Sequence, residues 1–396
     1  MKSFVNLLLV CLMMFFGCNS PVYDNTEYSS LSTIKIETDA EKQELKFSEI
    51  AQKIEFVPLE TKEGLLVSGV RNVFFNNEHI ILYATKNVWI FNREGNHLIT
   101  LEAVGEGPGE FSYISSIEVN FEKKELYIID FYKQKLLTFN INGTFKSEFK
   151  TGFFVDDFLS LDDGKFVLFT NDPNENTVHH VNFYNSHTEK IYSKHFPMNL
   201  KRLEFLNYWK NTNFFKWNEQ IYFNLNPYDT IYSVTDESIS ARFISDYGKN
   251  KIPVSDYDKQ FEDILHFNNY IKPLNYAYNW DKFFLVKDRL YFTFAQNGRI
   301  IRAFADIDKY SSGLIETFVD DLSLSGEIIT FDEWIWPLGN AENDLVFMLE
   351  SMDFKQFYGR KVTDVNYDLE TSANNIRLIL DDIDIVSNPV LVFLKQ

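Results

Sequence analysis

The stretch from His79 to Leu101 is written a second time, in different residues, from Glu125 to Phe149. Each copy holds two short apolar strands, a tight turn and a third strand. The second strand ends in Phe-Asn and the turn in Gly, as Phe91-Asn92-Arg93-Glu94-Gly95 and Phe139-Asn140-Ile141-Asn142-Gly143. Phe91 and Phe139 stand 48 positions apart, a period typical of propeller blades. Asn142-Gly143 supplies the positive φ that a hairpin turn needs. A unit of this size cannot bury both faces of its own sheet. Packing such units around an axis hides the faces and leaves only short edges.

Weaker copies follow. Leu161 to Phe169 reads as a hairpin about Asp163-Gly164, and Val181 to Tyr192 continues it. Further strands are expected at Gln220–Asn224, Thr230–Val234, Arg289–Phe294, Arg299–Phe304 and Asp344–Leu349. The fragments give five or six blades, and six once both chain ends are included. Ile54–Leu59 is the expected N-terminal closing strand, with Val390–Leu394 its C-terminal partner. The expected fold is all-β, a six-bladed β-propeller over residues 34–396. One inserted helix is expected at Ser255–Ile271, where Tyr257, Phe261, Ile264, Leu265 and Phe267 have helical spacing and Ser255 serves as N-cap. An irregular loop is the alternative.

The N-terminus carries an address. Met1-Lys2-Ser3 is short and basic, and Phe4–Phe16 is nearly all apolar. That run suits a signal peptide over residues 1–17 and is too short to span a bilayer. It ends in Phe15-Phe16-Gly17-Cys18, a lipobox-like sequence that makes Cys18 the expected lipidation site. A simple signal peptide with an incidental cysteine is the alternative. Residues 18–33 read as a polar tether, with Asp24 and Glu27 as thin acidic signals after the cysteine.

Aromatic residues make up 17% of the chain, which favours pleated, half-buried surfaces. The two cysteines, Cys11 and Cys18, both precede the fold. No disulfide or cysteine-bound metal is therefore expected in it. The formal net charge of −19 opposes nucleic-acid binding, which needs a basic stripe.

Val104-Gly105-Glu106-Gly107-Pro108-Gly109-Glu110-Phe111, then Leu126–Asp130, then Leu136–Phe139, resembles an NHL-type repeat. The whole arrangement resembles the six-bladed β-propeller lipoproteins of the Bacteroidetes, within the TolB-like superfamily. Ile54–Leu59, Asp229–Tyr232 and Ser387–Leu391 fit that family. The resemblance implies a fold and an outer-membrane address, on the periplasmic or the surface side, and no settled activity.

No constellation points to one chemistry. Gly105–Phe111 is followed by a strand, so it lacks the helix a phosphate loop requires. His179 and His180, as neighbours on a strand, point to opposite faces. The pairs Asp156-Asp157, Asp162-Asp163, Asp320-Asp321 and Asp381-Asp382 lack calcium-loop spacing. Trp209, Trp217, Trp280, Trp334 and Trp336 are candidates for stacking on a ligand. No catalytic residue, metal ligand or cofactor is expected. The expected function is binding of a small molecule, glycan, peptide or envelope protein by an outer-membrane-anchored propeller, with no nucleic acid and membrane contact through the lipid alone. The alternative is a metal-dependent hydrolase or lyase with a site on the central axis. Converging His, Asp or Glu side chains there would favour the enzyme, and an aromatic-rimmed mouth would favour binding.

Overall fold

The computed structural model describes residues 31–396 apart from 103–104, 106, 207–212, 218–219, 237, 282, 310, 325–326, 342 and 364–371. Five sheets contain a regular four-stranded antiparallel meander. The first runs Asn72–Phe75, His79–Tyr83, Asn87–Asn92, His97–Glu102. The second runs Ile114–Asn120, Glu125–Asp130, Lys135–Asn140, Phe145–Lys150. The third runs Asp157–Ser160, Lys165–Phe169, His179–Asn185, Lys190–Pro197. The fourth runs Phe214–Trp217, Gln220–Asn224, Thr230–Val234, Ile239–Asp246. The last holds Gly339–Ala341, Asp344–Leu349 and Val390–Lys395, completed by Lys53–Pro58 from near the chain start.

The fold is thus a β-propeller with five regular blades rather than the six expected. Between the fourth and last blades lies a seven-stranded sheet. Its first strand is split into Ala277–Asn279 and Phe284–Val286, both pairing with Arg289–Gln296. Its far strand, Ser311–Asp320, pairs with Lys42–Lys46 and with Ile329–Thr330 as well as with Arg299–Asp306. The extra strands and the split explain the departure from a simple repeat.

Neighbouring sheets lock through apolar clusters. Ile81 and Ile90 of the first blade pack with Ile117 and Leu137 of the second. Val346 and Phe393 of the last blade pack with Ile80 and Phe91 of the first. The seven-stranded sheet shares one cluster with the fourth blade and another with the last. The closing pair has Val57 opposite Leu391 and Glu55 opposite Phe393.

The segment before the closing strand also belongs to the sheets. Ser32–Lys35 runs parallel to Ile239–Asp246, and Lys42–Lys46 parallel to Ser311–Asp320. These two strands cover outer edges that would otherwise expose unpaired backbone groups. The first begins at Ser32, within the span expected as tether.

Helices depart further from expectation. The segment 255–271 is not one helix but two, α2 (Val254–Tyr257) and α3 (Ile264–Ile271). Ser255 lies inside α2. The N-cap of α3 is Asp263, whose carboxylate accepts from His266 N. Among the described residues three more α-helices are present: α1 (Leu200–Leu206), α4 (Ser351–Thr363) and α5 (Ser372–Asp382). Phe205 of α1 packs with Phe261 and Phe267, while Phe354 and Tyr358 of α4 cluster with Ile376 and Ile379 of α5. All five lie in connections at the end of the ring where the first strand of each sheet begins. This end is called the mouth below.

Candidate functional site

The first strands of the blades surround the axis and touch one another. Their opening residues build a polar cluster at the mouth. Asp157, the first residue of its strand, is buried and 4% exposed. Its Oδ1 accepts from Ser116 Oγ of the second blade at 2.7 Å and from Phe158 N at 2.9 Å. Its Oδ2 accepts from Asn213 N at 2.6 Å and Phe214 N at 3.0 Å, at the start of the fourth blade. One carboxylate thus ties three blades. Burial pushes its pKa up to about 6, although the four hydrogen bonds pull it back. Tyr83 of the first blade lies close, within electrostatic reach of Asp157, Arg71 and Asp281, and burial pushes its phenol well up.

A second polar layer lies further along the same strands. Glu118 is buried and accepts from Ser160 N of the third blade and from Lys216 Nζ of the fourth. Asp157 and Glu118 are therefore both spent on holding blades together. Among the described residues, no group of three or more His, Cys, Asp or Glu side chains is arranged to hold a metal ion.

Arg71, just before the first blade, joins this axial cluster to the outer rim. Its Nη1 donates to the carbonyls of Ile114 and Ser115, both at 3.4 Å, and its Nη2 to Tyr113 Oη at 3.3 Å. Tyr113 begins an aromatic group. Its ring lies 5.0 Å from Tyr132 and 6.3 Å from Phe131. Phe131 stacks on Phe154 at 4.9 Å and meets Tyr132 nearly perpendicularly. Tyr132 is 65% exposed. Three connections carry these rings: the entries to the second and third blades, and the turn after Asp130. Asp130 fixes two of them, since its carboxylate accepts from Ser112 N and Oγ and from Lys133 N.

The residues singled out from sequence are scattered. Cys18 and Trp209 lie outside the described residues. Trp217 packs against Tyr222, Trp280 under the helices, and Trp336 against Phe318. Trp334 is exposed, on the connection leading to the last blade. The two histidines separate as expected: His180 stacks on Phe169, while His179 is felt by His195. Burial lowers the pKa of His179 and His195. Asp163 sits in a turn at φ +54°. Asp320 binds Ser323 and Tyr358, Asp321 binds Ser48, and Asp381-Asp382 ends α5. The rim of Tyr113, Phe131, Tyr132 and Phe154 is not among the residues singled out from sequence. Its signal was two adjacent aromatics placed directly after a buried strand end, at Phe131-Tyr132.

In the Gly-rich loop, Gly107 N donates to Glu110 Oε2 at 2.7 Å, and Phe111 is buried in the core. The loop therefore serves blade packing. Among the described residues, no helix is long and apolar enough to cross a membrane.

Comparison with solved structures gives two neighbours from Bacteroides. A crystal structure named for an exported protein of Bacteroides fragilis is 17% identical, covering 93% of this chain and 100% of its own, with a TM-score of 0.69. A member of the DUF4221 family from Bacteroides vulgatus is 11% identical, covering 87% of this chain and 96% of its own, with a TM-score of 0.45. The first similarity extends to the propeller fold. No protein of curated function matches. The family model for the domain of unknown function DUF4934 matches residues 31–395, so the chain belongs to that family.

Proposed function

We propose that this protein is an envelope lipoprotein, anchored in the outer membrane through Cys18, whose propeller binds a ligand at the mouth. The observation that carries the binding half is the aromatic rim, exposed Tyr132 among half-buried Tyr113, Phe131 and Phe154, beside an axis whose carboxylates are engaged in the fold. A rigid ring that presents its connecting segments at one end is a good recognition platform, and fold alone does not fix the ligand. An axial metal hydrolase or lyase would need carboxylates or imidazoles turned free toward the axis. Asp157 and Glu118 are instead bound to neighbouring blades.

In this proposal the seven-stranded sheet acts as a sixth, irregular blade that completes the ring, and the loop at 105–111 is an NHL-like approach to the second blade. The N-terminal strand joins the outer edge of the fourth blade midway along that blade's last strand. Ser32 pairs with Phe243, and the strand then runs parallel to Ile239–Asp246 toward the mouth-side residue Asp246. The 13 residues between Cys18 and Ser32 allow about 45 Å of reach when extended.

One variant tests both halves. Cys18→Ser should move the protein from the membrane to the soluble fraction. The released protein should melt at the same temperature with and without EDTA. Retention in membranes contradicts the anchor. A melting temperature that falls on chelation contradicts metal-free binding and moves the case to the enzyme.

A further inference from the structure

We infer that the rim at the mouth takes a neutral carbohydrate, stacking a sugar ring on Tyr132 and its aromatic neighbours. This inference rests on the mouth being the binding face.

Charge disfavours two kinds of ligand at the rim, and the rim's surface fits a third. The chain carries a net charge of −19, which opposes the approach of polyanions. A cation would gain from aromatic faces, but Arg71 already lies over Tyr113, 5.8 Å from the ring centre, and would repel it. The rings also pack on one another rather than surrounding a space. Tyr113 and Tyr132 are tilted by 59° at 5.0 Å, and Phe131 and Phe154 are stacked within 25°. That is a platform, not a cage. A neutral ligand is left, and the platform offers it two kinds of contact.

The first is the exposed face of Tyr132, held by its neighbours at little entropic cost, since an aromatic side chain has only two rotatable bonds. The second is a polar border. It comprises the Tyr113 hydroxyl and the Arg71 guanidinium on the axial side. On the outer side lie Asn174 and Asn176, whose amides donate to Gly152 O at 3.0 and 2.7 Å beside Phe154. A pyranose presents an apolar C–H face and a rim of hydroxyls, which matches a ring face bordered by hydroxyl, guanidinium and amide groups. A wholly apolar ligand would strand that polar border.

The test uses the full chain in detergent micelles. It is applied to immobilised neutral oligosaccharides, the same sugars carrying sulfate or uronic acid, and aromatic peptides. Binding to one or more neutral oligosaccharides is expected, with Tyr132→Ala weakening it at least tenfold. Leu98→Ser, at an exposed position on the outer strand of the first blade, should change it less than twofold. Phe154→Ala is a second variant reaching the same platform from another connection and should also weaken binding. Binding of peptides or charged glycans that is lost in Tyr132→Ala would overturn the carbohydrate assignment and leave the mouth as the binding face. Binding that survives both aromatic variants would overturn both. Absence of binding to every neutral oligosaccharide would overturn the assignment.

Discussion

Asp157 ties three blades through four hydrogen bonds. Its carboxylate accepts from Ser116 in one blade, from Phe158 in its own and from Asn213 and Phe214 in the next. Burial still dominates its titration, so its pKa stands at about 6 against an ordinary 3.8. The folded protein therefore binds a proton there at a pH where the unfolded chain does not. The stability this proton contributes is complete below about pH 4 and lost as the pH rises through about 6. It amounts to about 3 kcal/mol. Asp157→Asn cannot titrate, and its amide cannot accept on both sides. It should cost about 1–3 kcal/mol at pH 7.5 for an N–H left unpaired. Urea unfolding at pH 4.5 and 7.5 checks the linkage. The gap between the native protein and the variant should widen at the lower pH, and an unchanged gap would refute the assignment. None of this was legible in the sequence, where Asp157 is one of a pair of acids. Its partners lie 41 and 56 positions away, and only closure of the ring brings them together.

At the scale of the element, the repeat signature turns out to be a contact rule. Gly95 has φ +87° and Gly143 has φ +80°. Both stand in the turn between the third and fourth strands of a blade, and both face the outermost strand of the preceding one. A Cβ on Gly95 would press into the carbonyl oxygen of Pro58 in the closing strand, while one on Gly143 would meet the Ile99 methyl at 2.7 Å. A carbonyl cannot yield and a methyl can rotate. Gly95→Ala should therefore cost about 3 kcal/mol and Gly143→Ala about 1–2, the left-handed backbone charging both. Equal losses in urea unfolding would contradict this difference. The strands were legible because alternation and turn glycines mark them locally, as at Asn142-Gly143. The helices were legible only in part. The four-residue spacing of Phe354 and Tyr358, and the three-residue spacing of Ile376 and Ile379, are helical signals. The surrounding charged residues diluted them. The segment 255–271 misled because its apolar spacing continues across the break at Asp258–Asp263, where α2 has ended and a new cap begins.

The whole molecule is a ring whose two ends are unlike. One end carries the helices, the rim and the Asp157 cluster. The other carries the tight turns between third and fourth strands, such as those at Gly95 and Gly143. Propeller architecture was legible from a 48-residue period and two end strands. The count of regular blades was not, because strands from the chain start join outer edges far from them in sequence. The site was the least legible part, since Arg71, Tyr113, Tyr132 and Phe154 come from four separate connections. In the proposed function, recognition occurs at the mouth. It can be tested without knowing the ligand, by hydroxyl-radical labelling of the protein in isolated envelopes and of the same full chain purified in detergent. Tyr132 and Tyr192 are both exposed, the first at the mouth and the second near the opposite end, where its hydroxyl donates to Asp236 O. The account predicts that labelling of Tyr132 falls at least threefold in the envelope while Tyr192 changes little. Equal labelling of Tyr132 in both preparations, or protection of Tyr192 alone, would contradict it.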